Sequence, residues 1–357
     1  MLDSHEISGW LKTHVSSMRL SRKKTLASIV YGAMQLRGAG VLALGKAMVG
    51  PAQAKHRIKQ VWRFFRNDNV ETLEVCRSIF DMAKPAQGRI TVLCDWTDIG
   101  KHRQLVFGLP KDGRSIPFLS LTVLTKQGER AMVRSEKKGL EYLEGFCPSG
   151  QEMLYIGDRG FGNCRWLEDV RRQGGHFVQR IAGGLYVSVP EYAGLASQIP
   201  IVRGAKVKDW GRGSLTDAHA FPIRLITVFE PNAKEPWILV TDLMDVSPQE
   251  IVRLYKRRMW IEGSFRDIKN RSWGLGMEKA RLSQAERYNR LFVVLALAAF
   301  LLMAFGAVAE NIGYAKTLQA NTENSRVMTL LRIGFNMMQW NPPPIGKAIK
   351  ALREFPI

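Results

Sequence analysis

Cysteine is scarce and scattered in this chain. The four cysteines among 357 residues, Cys76, Cys94, Cys147 and Cys164, form no CxxC or Cys/His pattern. That argues against a thiolate zinc site and reads as buried free thiols in a reducing compartment. Residues 1–15 lack a basic stretch followed by an apolar run, so no secretory signal is expected and a cytoplasmic location is the default. Internal repeats and low-complexity tracts are also missing. Most telling is a shortage of one charge: between Ile7 and Asn67 there is not a single Asp or Glu.

Basic residues fill that gap. Arg22, Lys23 and Lys24 come first, then Lys55, Arg57, Lys59, Arg63 and Arg66, interleaved with His56, Trp62, Phe64 and Phe65. Two readings fit the second cluster: a solvated basic helix face, or a helix that packs one side and presents the other to phosphate. Over the whole chain 52 Lys and Arg oppose 32 acids, a formal net charge of +20. Such an excess favours polyanions, nucleic acid first and acidic membrane surfaces second. The apolar fraction, 46%, is ordinary for a chain with a buried core.

One uncharged run, Leu291 to Ala309, is long enough to cross a bilayer, and Arg287 and Arg290 precede it like a cytoplasmic flank. A helix apolar on all sides also suits the centre of a large soluble domain. The run by itself leaves both readings open.

The spacing of apolar residues predicts helices to about Pro85, one over Leu26–Met34 with Gly38 and Gly40 as stops, another over Ala54–Phe65. From Arg89 the texture becomes strands: Ile90–Asp95, Gln104–Leu109 and Ile116–Leu124, with a turn at Pro110–Gly113. A helix at Glu136–Gly145, a strand at Met153–Asp158, a helix at Asn163–Gly174 and a strand at His176–Ile181 follow. Strand–strand–strand–helix–strand–helix–strand is the order of a ribonuclease-H-like α/β domain. Residues 183–243 read as a β-rich insertion with strands at Ile223–Phe229 and Trp237–Thr241. Ser247 as N-cap, Pro248 at the first position and Glu250 three residues on predict one long helix to about Trp273. The remainder is helical. The expected divisions are a helical DNA-binding region 1–85, a core in two parts (86–182 and 244–310) around the insertion 183–243, and a helical tail 311–357.

Two acids close apolar strand-like runs: Asp95 ends ITVLCD and Asp158 ends MLYIGD. Each is either a strand-end turn residue or a carboxylate on a rigid mount suited to a hard cation such as Mg²⁺. On the long helix, Tyr255, Arg258, Glu262 and Lys269 stand at offsets of three, seven and fourteen, within an arc of roughly 60° on an ideal helix. An acid flanked by Arg and Lys on one face suits a metal plus a phosphate, although incidental ion pairs on a solvated helix give the same pattern. Asp267 falls outside the arc, and Asp98 is a rival to Asp95 placed past the expected strand end.

The Y-x2-R-x3-E-x6-K spacing resembles the YREK signature of IS4-type bacterial insertion-sequence transposases. Asp95-Trp96-Thr97 is similar to that family's D-x-T, and Asp158-Arg159-Gly160-Phe161 to its D-R-G-F. The likeness covers about residues 50–310. It implies a ribonuclease-H-like fold and a DDE triad of Asp95, Asp158 and Glu262 binding two Mg²⁺ ions, which Mn²⁺ can replace. It also implies phosphate contacts from Tyr255, Arg258 and Lys269, double-stranded DNA (inverted-repeat ends and target) as partner, and a homodimeric synaptic complex. Under the same likeness, 291–309 is a core helix rather than a membrane span, and the protein is cytoplasmic and nucleoid-associated. The acid-free basic stretch itself makes Lys55, Arg57, Lys59, Arg63 and Arg66 the expected DNA contacts. Trp237, at the head of its strand, is either core or a base-stacking residue of members that excise through a DNA hairpin. Other readings are a transposase-derived DNA-binding protein and a ribonuclease-H-fold nuclease without strand transfer.

Overall fold

The computed structural model describes residues 3–36, 38–270, 272 and 274–356. The chain opens with helices α1 (Ser4–His14), α2 (Leu20–Leu36), α3 (Val41–Ala47), α4 (Ala54–Arg66) and α5 (Leu73–Ala83). Strands β1 (Ile90–Ile99), β2 (His102–Lys111) and β3 (Arg114–Leu124) follow, then α6 (Gly128–Phe146), β4 (Met153–Gly157), α7 (Cys164–Arg172) and β5 (His176–Arg180). Next come β6 (Tyr186–Val189), β7 (Tyr192–Leu195), β8 (Lys208–Leu215), β9 (Phe221–Val228) and β10 (Trp237–Thr241). The chain ends with α8 (Pro248–Lys256), α9 (Met259–Lys269), α10 (Ala285–Asn311), α11 (Leu330–Trp340) and α12 (Ile345–Glu354).

Two compact units share these elements. One takes the residues through Pro85, Trp96–Ser135 and those from Glu262 onward; the other takes Ala86–Asp95 and Glu136–Ile261.

In the second unit the strands lie in the order β1-β4-β5-β10-β9-β8-β6-β7. β1 and β4 are parallel, from Ile90 opposite Met153 to Cys94 opposite Gly157. β4 and β5 are parallel as well. All five residues of β4 are buried, which is why it reads as an unbroken apolar run rather than an alternating one. β10 then pairs antiparallel with β5, Leu239 opposite Arg180, so the strands of 183–243 extend this sheet instead of forming a separate one.

In the first unit, β2 and β3 form an antiparallel hairpin on the distal half of β1. Its turn uses Asp112 and Gly113, both at positive φ (50° and 69°), the backbone that a two-residue hairpin requires. Pro110, expected in the turn, lies within β2. β1 runs to Ile99, so Asp95 is not its last residue. What ends near Asp95 is the pairing with β4, a change that the apolar run alone does not record.

The apolar run is α10. It is long and apolar enough to span a bilayer, and its most apolar window is wholly buried within the protein. It packs on α2, α5, α11, α12 and β3, and neighbours on all sides explain why it lacks a polar face. Arg290 is buried with it and donates to the Phe65 carbonyl at 2.8 Å and to Asp68 at 2.7 Å. The N-terminal helices therefore share a core with α10: Leu26, Ile29, Val30 and Ala33 of α2 are fully buried.

Where α10 crosses α11, two glycines permit backbone contact. A Cβ at Gly334 would lie 1.8 Å from the Leu302 carbonyl oxygen, and one at Gly306 2.0 Å from that of Leu330. Gly334→Ala is expected to cost at least ~1–3 kcal/mol, since the obstacle is backbone and cannot rotate away. Gly9→Ala in α1 meets nothing within 4 Å and should be neutral or stabilising by up to ~1 kcal/mol. Thermal unfolding of the two variants checks the pair.

The helix expected from Ser247 to Trp273 is in fact two. Ser247 does cap α8, accepting from the Glu250 amide at 3.3 Å, but regular winding stops at Lys256 and resumes at Met259. Around Arg257 and Arg258 the amides of Arg257, Arg258, Trp260 and Ile261 bond three residues back. Such tight turns advance by more than 100° per residue, so the uniform winding expected of one long helix is interrupted there. The second helix ends at Lys269; Trp273 lies outside the described residues. The helix expected from Glu136 starts eight residues earlier, at Gly128.

Candidate active site

Asp158 stands one residue past the β4 ladder and is held there by short-range constraints. Its carboxylate accepts from the Gly160 amide at 2.8 Å and caps the Arg159–Phe161 turn. The preceding residue is fixed to β5, because the Gly157 amide donates to the Gln179 side chain at 2.9 Å. Gly162 lets the turn settle on that strand, since a Cβ would lie 2.1 Å from the Arg180 carbonyl oxygen. In register, Asp95 follows Cys94 as Asp158 follows its partner Gly157. Parallel pairing thus sets the two acids side by side.

Arg258 joins them. Its guanidinium lies 3.3 Å from Asp95 and 4.0 Å from Asp158, with its side chain 17% exposed. Asp95 itself is buried. The field of the cluster is felt by Cys94, whose thiol is pushed well above its usual range by burial and then by Asp95, Asp158 and Glu136, against Arg258. Glu136, at 2.7 Å from Arg165, is a buried acid that neither motif nor spacing marks.

Tyr255 is buried, and its ring meets Trp237 edge to face at 5.0 Å. Burial pushes its phenol up to about 12, Asp158 adds to this, and Arg258, Arg180 and Arg159 oppose it. Trp237 is half-buried, neither enclosed core nor a free surface ring.

The remaining expected residues are placed within the first unit. Lys269 donates to the Thr97 hydroxyl at 3.1 Å. Glu262 lies in the first turn of α9. Asp98 is exposed and pairs with Arg103 at 3.1 Å, while Asp267 pairs with Arg114 at 3.0 Å. On α4, Lys55, Lys59, Arg63 and Arg66 are exposed, with Trp62 beside them, whereas Val61, Phe64 and Phe65 are buried. Arg57 belongs to neither set. It donates to the carbonyls of Gly45, Gly50 and Ala52 at 3.1–3.3 Å, which ties α3 and its following loop to α4.

Among the described residues, no group of three or more His, Cys, Asp or Glu is close enough to hold a metal ion. Two adjacent carboxylates nevertheless fit a hard divalent cation, which commonly takes one or two directly. Their shared guanidinium shows that the pair already accommodates a positive charge between its oxygens.

Paired aspartates just past the end of the β1–β4 ladder, with an arginine between them, form an acidic centre suited to cation-assisted phosphate chemistry. Residues 117–301, just over half the chain, match the model of the transposase DDE domain family. The chain belongs to that family. The matched segment includes Asp158, Trp237, Tyr255, Arg258, Glu262 and Lys269, with Asp95 upstream of it. No curated protein is significantly similar to the chain.

Proposed function

We propose that the protein is an insertion-sequence transposase of the IS4 type, which binds the inverted-repeat ends of its element, cuts them and joins them to target DNA. The observation that carries this reading is the bridging of Asp95 and Asp158 by Arg258. The order β1–β2–β3–α6–β4–α7–β5, with β4 parallel to both β1 and β5, supports a ribonuclease-H-like core.

Asp95 and Asp158 would hold a divalent cation, Mg²⁺ or Mn²⁺, with Glu262 as the third acid of the triad. Such an ion, when bound, lowers the pKa of water and stabilises charge on a phosphoryl oxygen. Arg258 does two things with one guanidinium: it offsets the repulsion between the aspartates and donates toward a phosphate brought against them. Tyr255 is protonated at neutral pH, as an ordinary phenol is, and burial raises its pKa further, to about 12; its hydroxyl would act as a hydrogen-bond donor rather than a base. Lys269 lends a positive charge at Thr97. The exposed face of α4, Lys55, Lys59, Arg63 and Arg66, tracks the DNA backbone, and the working complex on two ends is a homodimer.

The test uses the full-length protein, a linear DNA carrying the element's ends, and Mg²⁺. Asp95→Asn should lose most end cleavage, whereas Asp98→Asn should stay within about threefold of wild type, as its exposed ion pair contributes little. Equal losses in both would remove Asp95 from the centre. Joining of pre-cut ends to a target plasmid separates a transposase from a nuclease that only hydrolyses.

A further inference from the structure

Beside the acidic centre lies a second charged cluster that the proposed mechanism leaves unused. Arg159 follows Asp158 directly, and Arg180 ends β5. Both guanidiniums converge on one carboxylate oxygen of Glu235, at 2.6 and 2.8 Å. Arg180 also donates to the Pro236 carbonyl at 3.0 Å. Glu235 comes from the loop before β10, two residues ahead of Trp237.

Two arginines on one oxyanion form a fork for phosphate as readily as for carboxylate. Glu235 and Arg159 face solvent, their side chains 54% and 44% exposed, while Arg180 backs the site at 16%. The Arg159–Glu235 pair is weak, because water and salt screen an exposed ion pair. The arginines hold the Glu235 carboxyl below its usual range, Arg180 first. Position matters as well: Arg159 and Arg180 both act electrostatically on Tyr255, the residue against which Trp237 rests.

We propose that Arg159 and Arg180 form a binding site for a DNA backbone phosphate beside Asp158, and that Glu235 occupies it as an internal surrogate until DNA displaces it. The inference rests on the reading of the protein as a DNA-binding transposase. Exchange costs little because one exposed anion replaces another. It also releases Glu235 and with it the loop that leads into Trp237, so phosphate capture and the placement of that ring are linked.

The experiment measures binding of the full-length protein to a fluorescent 30-base-pair duplex by anisotropy, without divalent metal, over a series of salt concentrations. Glu235→Gln should tighten binding about three- to tenfold at fixed salt, because the competitor loses its charge while a weak hydrogen bond remains. The slope of log K against log salt should stay near that of wild type, because the same phosphate is bound in both proteins once Glu235 is displaced and only the competitor differs. Glu191→Gln is the control for net charge, because Glu191 pairs with the single exposed Lys208 at 2.8 Å; it should change affinity less than twofold. Adding Arg159→Gln and Arg180→Gln to Glu235→Gln should abolish the gain, and thermal melts keep folding out of the comparison. If Glu235→Gln binds like wild type, or Glu191→Gln gains as much, the surrogate role is wrong while the transposase reading stands. If wild type shows no salt-dependent DNA binding at all, both fall.

Discussion

Glu262→Gln is expected to reduce Mg²⁺-dependent cleavage by a hundredfold or more while end binding changes little. Partners one shell removed from a metal already cost about 10–100-fold when lost, and a direct ligand should cost no less. Gln keeps the size of Glu and an acceptor oxygen, so the first turn of α9 need not change; what disappears is the negative charge. No DNA-contacting cation is removed, which is why binding should hold. Cleavage time courses with Mg²⁺, beside anisotropy titrations without it, read the two quantities separately. A parallel loss of binding and cleavage would make Glu262 a structural residue of α9. Cleavage near the wild-type rate would take it out of the triad, leaving Asp95 and Asp158 as the paired acids.

The second large effect is expected at Trp237, in a mechanism that excises through a DNA hairpin. The ring is half-buried and leans its edge on Tyr255, so part of it is committed to packing and part is available. A base turned out of the duplex gains about 1–3 kcal/mol by stacking on an aromatic face. Removing the ring should then slow hairpin formation by about one to two orders of magnitude. Trp237→Ala on pre-nicked ends should show that loss, with first-strand nicking on intact ends nearly unchanged. Trp237→Phe should recover much of it, because a smaller ring still stacks. If nicking and hairpin formation fall together, or the alanine variant melts well below wild type, Trp237 is packing for Tyr255 and nothing more.

Several elements could be read locally. The run MLYIG needed no neighbours to be recognised as a buried strand, and β4 is enclosed along its whole length. Ser247, Pro248 and Glu250 marked the start of α8 within one residue. The apolar run of 291–309 had two readings by composition, and its family likeness pointed to the buried one that α10 adopts. The basic stripe of α4 was visible as a stripe, but not the inward turn of Arg57 toward carbonyls of α3 and the loop that follows it. The arc drawn through Tyr255, Arg258, Glu262 and Lys269 assumed uniform winding, which the tight turn at Arg257 and Arg258 breaks.

By itself, then, the sequence determined which segments become strands and helices, which faces are apolar, and which acids and bases are available for chemistry. Those properties follow from burial periods of two and 3.6 residues and from capping residues, all short-range. Tertiary structure alone decided which charges meet. Arg258 reaches Asp95 across 163 positions of chain, and Arg159 reaches Glu235 across 76. Separations of that size carry no local period; they are settled by the register of β1 on β4 and of β10 on β5. A one-residue slip in either register would turn every side chain of that strand to the opposite face. The acidic pair and the arginine fork beside it are consequences of sheet pairing.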